Sequence, residues 1–251
     1  MNVRTSTEIK LMEAAGKLAA ETLQYAGKQV KAGITTEEID RLANEFILER
    51  GAKSACVGYR GYPKAICTSV NDVICHGLPD ETVLNDGDII NIDVTVLKDG
   101  FHGDTSSMFF VGEVTPKAKS LCETAFEAMH RGIRAVKTGA TTGDVGFAVD
   151  KFVTRKGYYA VREIGGHGIG KEFHEEPFVP SFGRKGKGER FLKWGTITVE
   201  PMVNETSAPI HEFGIPNSEI TVFTTTDQTW SAQYEHTILI TDSGAEILTQ
   251  V

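Results

Sequence analysis

Residues 33–51 read GITTEEIDRLANEFILERG, and residues 139–157 read GATTGDVGFAVDKFVTRKG. Gly33, Thr35, Thr36, Phe46 and Gly51 recur as Gly139, Thr141, Thr142, Phe152 and Gly157, each 106 positions later. At the same offset Glu38 meets Asp144, Ile39 meets Val145, Asn44 meets Asp150, Ile47 meets Val153 and Arg50 meets Lys156. Five identities and five conservative pairs in a 19-residue window exceed what two unrelated amphipathic helices share by chance. The chain carries a duplication, and a period this long makes two half-domains rather than a solenoid.

The register extends outward. Upstream, apolar residues from Ile9 to Val30 recur at helical spacing and predict a helix over 7–31, with Thr5 and Glu8 at capping-box spacing. Thr35 with Glu38 starts the next helix. Thr115-Pro116 starts a third, with the stripe Ala118, Leu121, Ala125, Met129 and Val136, and a fourth runs from Thr142 to Gly157. Ala19, Leu23 and Val30 match Ala125, Met129 and Val136 at the same offset. Downstream, GDIINID (87–93) parallels GTITVE (195–200): a turn glycine, an alternating strand and a carboxylate at its end. Further strands are predicted over 52–57, 65–70, 108–111, 158–162, 220–225 and 232–241. These elements predict an α+β fold, with antiparallel sheet inside and helices outside. One domain over 1–251, in halves of roughly 1–112 and 113–251, is expected to place its site in the pseudo-symmetric cleft.

Composition narrows the function. The chain has 251 residues, 40% hydrophobic and 24% charged, enough for a packed core without disulfides. A net charge of −8 argues against nucleic-acid or anionic-membrane binding as the main activity. No apolar run is long enough to cross a membrane, and the first residues lack a secretory signal pattern. Cys56, Cys67, Cys75 and Cys122 form no Cys-x-x-Cys pair, so free thiols in a reducing cytoplasm are expected.

The chemistry lies in carboxylates placed on strands, where Asp and Glu are disfavoured. Asp93 ends one alternating strand, and Asp104 follows the turn at Lys98-Asp99-Gly100. A Lys98-Asp99 loop sets the two directly opposite; an Asp99-Gly100 loop makes them diagonal neighbours on one face. Opposed β-carbons lie about 5 Å apart, so two such charges repel unless a cation sits between them. His167 lies among glycines, Glu200 ends a strand before Pro201, and Glu235 shares a face with Gln233 and Thr237. Each signal is weak alone. Together Asp93, Asp104, His167, Glu200 and Glu235 form an oxygen-rich set suited to two hard or borderline divalent ions.

The blocks DVTVLKDGFHGDT (93–105), GHGIG (166–170), FHEEP (173–177), VEPM (199–202) and QYEHT (233–237) occur in that order, with GYRGYP (58–63) and CHGLP (75–79) before them. Across nearly the whole chain they resemble type I methionine aminopeptidases of bacterial type. The resemblance implies the pita-bread fold and removal of initiator methionine from nascent proteins when the next residue is small, through attack by a metal-activated water. It implies two divalent ions (iron, manganese, cobalt, nickel or zinc), bridged by Asp104 and Glu235. Asp93 would chelate one, and His167 with Glu200 would complete the other. Glu200 would also shuttle a proton, His174 would contact the scissile amide, and His76 the peptide beyond it. Tyr59, Tyr62, Cys67, Phe173 and Met202 would line the methionine pocket.

Two departures concern the lid of that pocket. Ile220 stands near the position where many bacterial members have tryptophan, and the stretch around 212–218 is longer than usual. A wider mouth is expected there, unless Phe223 or Trp230 fills the space. The basic stretch 184–190 reads as a solvated loop, with contact to the ribosome surface as its functional alternative. A cytoplasmic monomer acting on N-terminal Met-peptides is the resulting expectation. The absence of a cysteine-rich extension before the first helix fits a bacterial or organellar form. The alternatives are an X-Pro aminopeptidase or dipeptidase of the same fold, or a non-catalytic binding protein that keeps the fold.

Overall fold

A computed structural model describes residues 1–251. Four helices form: α1 (Ser6–Gly27), α2 (Thr36–Glu49), α3 (Pro116–Ala135) and α4 (Thr142–Arg155). Their starts follow the capping chemistry of the sequence. The Glu8 carboxylate accepts from Thr5 N–H at 2.9 Å, and the Asp144 carboxylate from Thr141 N–H at 2.8 Å. Thr35 Oγ1 accepts from Glu38 N–H at 3.2 Å, but the Glu38 carboxylate turns to Arg41 instead of closing a box. Thr115 Oγ1 accepts from Ala118 N–H ahead of Pro116. Helix α1 stops before the predicted end, because Val30 N–H bonds to Gly27 in a tighter turn while its side chain still packs on the core.

The strands are β1 (Lys53–Ser54), β2 (Cys67–Val70), β3 (Val73–Cys75), β4 (Ile89–Lys98), β5 (Phe101–Phe110), β6 (Tyr159–Ala160), β7 (Gly165–Gly168), β8 (Glu175–Pro180) and β9 (Thr196–Val199). After them come β10 (Met202–Asn204), β11 (Ile210–Gly214), β12 (Thr221–Thr225), β13 (Ser231–Gln233), β14 (Glu235–Ile240) and β15 (Ala245–Ile247). The main sheet runs β1-β4-β5-β14-β9-β7-β8, with β2 also on β4 and β15 on β14. Small sheets β13-β10-β6 and β11-β12-β3 flank it. The predicted 232–241 strand breaks at Tyr234, because its two parts pair in different sheets. His167, among its glycines, lies on β7.

Alternation along β4 separates core from site. Ile90, Ile92, Val94 and Val96 are fully buried against α1 and α2, each stabilising by about 2 kcal/mol. Asn91, Asp93 and Thr95 take the other face. On β9, Ile197 and Val199 pack beneath α3 and α4, leaving Thr198 and Glu200 on the other face. Helices therefore cover the outside, and polar side chains gather inside.

The duplication is visible in backbone bonds that the sequence comparison did not reach. Gly33, Thr36 and Glu37 N–H donate to Leu84, Thr82 and Asp80 carbonyls at 2.8, 3.0 and 2.8 Å. Gly139, Thr142 and Gly143 donate to Phe191, Glu189 and Lys187 at 2.9, 3.0 and 2.9 Å. Donors repeat at 106 and acceptors at 107, so a one-residue shift between helix and strand hid the match at 80–84.

Candidate metal centre

The β4–β5 hairpin turns on Asp99 and Gly100, with φ of 50° and 82° and Lys98 paired to Phe101. Both central residues need positive φ, the type I′ requirement that Asp-Gly meets. This register pairs Asp93 with Ser106 and Thr95 with Asp104, making the two aspartates diagonal neighbours. Strand β5 pairs with β14 at the middle of the sheet, Ser106 opposite Glu235. That contact brings the first copy's aspartates to the second copy's carboxylates.

Ligand atoms of Asp104, His167 and Glu235 all lie within 4.8 Å of one another. His167 Nε2 stands 3.7 Å from Asp104 Oδ2 and 3.6 Å from Glu200 Oε1. Asp93 and Glu200 line the same cavity, of about 270 Å³. Asp104 is fixed by Thr95 Oγ1, which donates to Oδ1 at 2.7 Å. Glu200 accepts from Thr198 Oγ1 at 2.6 Å and from Gln233 Nε2 at 3.3 Å.

The electrostatics favour positive charge at this cluster. Burial pushes the carboxyls of Asp93, Asp104, Glu200 and Glu235 all upward, and mutual repulsion adds to it for the last three. Glu235 Oε1 is buried without a hydrogen-bond partner. No Lys or Arg reaches the carboxylates; the sole cationic side chain lining the cavity is Arg60, exposed at its mouth. Such a cluster needs cations, and oxygen and imidazole donors fit divalent ions.

Hydrogen bonds fix three imidazoles. Nδ1 of His167 lies 2.9 Å from the Gly168 carbonyl, an acceptor, so Nδ1 carries the proton and Nε2 presents a lone pair to the carboxylates. Burial lowers its pKa to about 4, keeping it neutral. His76 Nδ1 likewise donates to the Thr221 carbonyl at 3.0 Å, which leaves Nε2 as an acceptor. His174 Nδ1 lies 2.8 Å from the Tyr59 hydroxyl. Burial, then neighbouring His167, lowers the His174 pKa to about 2.

The sequence profile of metallopeptidase family M24 matches residues 10–242. The chain belongs to that family. Within M24 it is 46% identical to the methionine aminopeptidase of Escherichia coli strain K12, over 99% of this chain and 94% of that protein. The crystal structure of methionine aminopeptidase from Rickettsia prowazekii superposes with a TM-score of 0.96 at 42% identity, covering all of both chains. The prolidase of Pyrococcus horikoshii shares the fold at 21% identity and a TM-score of 0.79, with this chain spanning 63% of it. The pita-bread architecture and the use of divalent metal follow from this membership.

In this M24 chain the apolar wall of the cavity comes from Tyr59, Tyr62, Cys67, Phe173 and Ile220, with Cys56, Ile164 and Phe178 besides. Tyr62 turns its hydroxyl to the Ile66 and Gly77 carbonyls at 3.0 and 3.2 Å, leaving its ring for the wall. Met202 is a correction: it does not line the cavity. Pairing of β10 with β13 and β6 directs it to Ile74, Cys75 and Val161, where it is 1% exposed. Ile220 does sit at the pocket, packed with Ile215, while Phe223 lies edge-on to His76 and Trp230 packs in the second copy's core. Residues 212–218 end β11 and enter the tip of the β11–β12 hairpin. Sequence reasoning missed Cys56, Ile164 and Phe178, which carry no local signal. Thr95 and Thr198 were legible, since each lies two residues from a carboxylate on its face.

Proposed function

We propose that this chain removes the N-terminal initiator methionine from nascent proteins whose second residue is small, using two divalent ions held by Asp93, Asp104, His167, Glu200 and Glu235. The observation that carries the reading is the uncompensated carboxylate cluster beside an apolar wall in one 270 Å³ cavity. The names of the E. coli and R. prowazekii relatives agree with it. Asp104 and Glu235, converging from the central strand pair, would serve both ions, Asp93 one of them, and His167 with Glu200 the other. Held there, divalent ions would supply polarisation of the scissile carbonyl and a lowered water pKa.

The chain's own groups do the rest. The methionine side chain packs on Tyr59, Tyr62, Cys67 and Phe173, which exclude water. With Tyr59 O–H as donor across its 2.8 Å contact to His174 Nδ1, His174 Nε2–H is free to donate to the carbonyl oxygen as charge develops on it. His76 Nε2 accepts an N–H from the peptide beyond the scissile bond. A Glu200 carboxylate oxygen takes the proton of the attacking water and passes it to the leaving amine.

The two copies work as one catalytic domain in a monomer, because the ligands come from both. No helix is long and apolar enough to cross a membrane, and all four cysteines are free and buried, as suits a cytoplasmic protein. Lys185 of the basic stretch supports a ribosome contact. Lys185 joins Arg131, Arg134, Lys137, Lys151 and Arg155 around a second groove of about 830 Å³ beside α3 and α4. Glu127 pairs with Arg131 and Arg134; the other four have no ion pair. This groove is the face offered to ribosomal RNA, and salt-sensitive co-sedimentation with ribosomes checks it.

Release of methionine from Met-Ala-Ser, Met-Lys-Ser and Leu-Ala-Ser peptides in defined metal tests the function. Turnover of the first far above the other two is expected. No turnover of any peptide, with metal bound, would leave a non-catalytic binding protein.

A further inference from the structure

Arg60 occupies a position that the metal centre does not explain. It has a φ of 47°, with Gly58 at 80° and Gly61 at 82°, so three of the four residues 58–61 have positive φ. A non-glycine residue rarely holds that conformation unless its surroundings impose it. Here the hairpin tip imposes it. The Arg60 carbonyl accepts from Glu219 N–H at 2.8 Å and from Ser218 Oγ at 2.9 Å. Gly61 is required beside it, since a β-carbon there would lie 2.3 Å from the Asn217 carbonyl oxygen.

The clamp decides where the side chain goes. Arg60 is exposed, lines the mouth of the cavity and makes no ion pair, although Glu219 N–H bonds its carbonyl. Its guanidinium carbon lies 5.5 Å from the Tyr59 ring, and Tyr59 holds His174. A peptide with its methionine against the apolar wall and its first amide at His174 leaves along this rim. Its second residue is small. With successive residues about 3.3 Å apart, the third is the first whose side chain is both long and close to the rim.

We propose that Arg60 is a specificity-determining residue that selects N-terminal Met-peptides with an acidic side chain at the third position. This rests on the peptidase reading above. Exposed ion pairs are weak and screened by salt, so the effect is a ranking of substrates, not a gate.

The test compares kcat/KM for peptides beginning Met-Ala-Asp, Met-Ala-Gln and Met-Ala-Lys. At low salt the Asp-to-Lys ratio is expected at about three- to tenfold, shrinking in 0.5 M NaCl. Arg60→Gln should bring the ratio near one, Arg60→Glu should invert it, and Arg60→Lys should keep its direction. An even ratio in the unaltered enzyme, or a ratio unchanged in Arg60→Gln, overturns the proposal. Because the readout is a ratio within one protein, a partly unfolded variant does not distort it. No release from any of the three peptides would instead overturn the peptidase reading, and this inference with it.

Discussion

Two strand pairs face each other across the centre of the sheet, and they deliver carboxylates by different routes. In the first copy β4 and β5 are joined by a two-residue turn, and Asp93 and Asp104 are diagonal. In the second copy β9 and β14 pair with Val199 opposite His236, which sets Glu200 across from Glu235 in the next register step. Their connection is a long excursion through β10, β11, β12 and β13. The symmetric strands hold the charge cluster. The asymmetric additions supply the rest: the β11–β12 hairpin brings Ile215 and Ile220 and bonds His76, and the segment after β7 brings Phe173 and His174. Duplication made a cradle for cations, and divergence made it read a peptide.

The largest expected effect breaks the cradle. Asp104→Asn keeps shape but removes a charge from the meeting point of the copies. Turnover should fall by more than the roughly 10–100-fold that loss of an outer partner costs. Metal content should fall with it, while circular dichroism stays native. Near-normal turnover would remove Asp104 from its assigned role.

His174→Ala probes the asymmetric side. We expect kcat to drop by roughly a hundredfold with metal content unchanged, because its bond strengthens as charge develops on the carbonyl. Metal lost with kcat per bound metal intact would instead put His174 among the ligands.

A third comparison uses equivalent positions of α2 and α4. Asp40 accepts the Ala65 and Ile66 amides at 2.8 and 2.9 Å, whereas its counterpart Gly146 would place a β-carbon 2.1 Å from the Phe182 carbonyl oxygen. Asp40→Ala strands two buried donors, and Gly146→Ala overpacks a backbone contact. Each should cost about 2 kcal/mol in denaturant unfolding. Cost at only one position would show that the helices do not anchor their loops equivalently.

The smallest effect concerns the lid. Ile220→Trp adds apolar area over the pocket and should raise the preference for methionine over leucine by about threefold in kcat/KM. An unchanged ratio would mean that Ile215 already closes the pocket.

Much of this was legible because period and chemistry agreed. The 106-residue offset gave the helices and the layering, and carboxylates on strands gave the cluster. Letters alone left the hairpin register open, since DG and KD loops both fit; the left-handed Asp99-Gly100 turn decides it. Met202 misled because strand direction after Pro201 depends on pairing with β13, a partner near position 233. Cys56, Ile164 and Phe178 converge on the cavity from separate segments, and no local pattern announces such contacts. His167 among glycines resembles a loop until β9 pairs with its strand.

The central claim, that the cation cradle draws on both copies and the lid on neither ion, is tested by counting metal. Elemental analysis would be made on the unaltered protein, Asp93→Asn, Glu200→Gln and Ile220→Trp, all loaded with manganese. The account predicts two ions per chain in the unaltered protein and in Ile220→Trp, and about one in each carboxylate variant. Two ions retained in both carboxylate variants, or an ion lost from the lid variant, would contradict it.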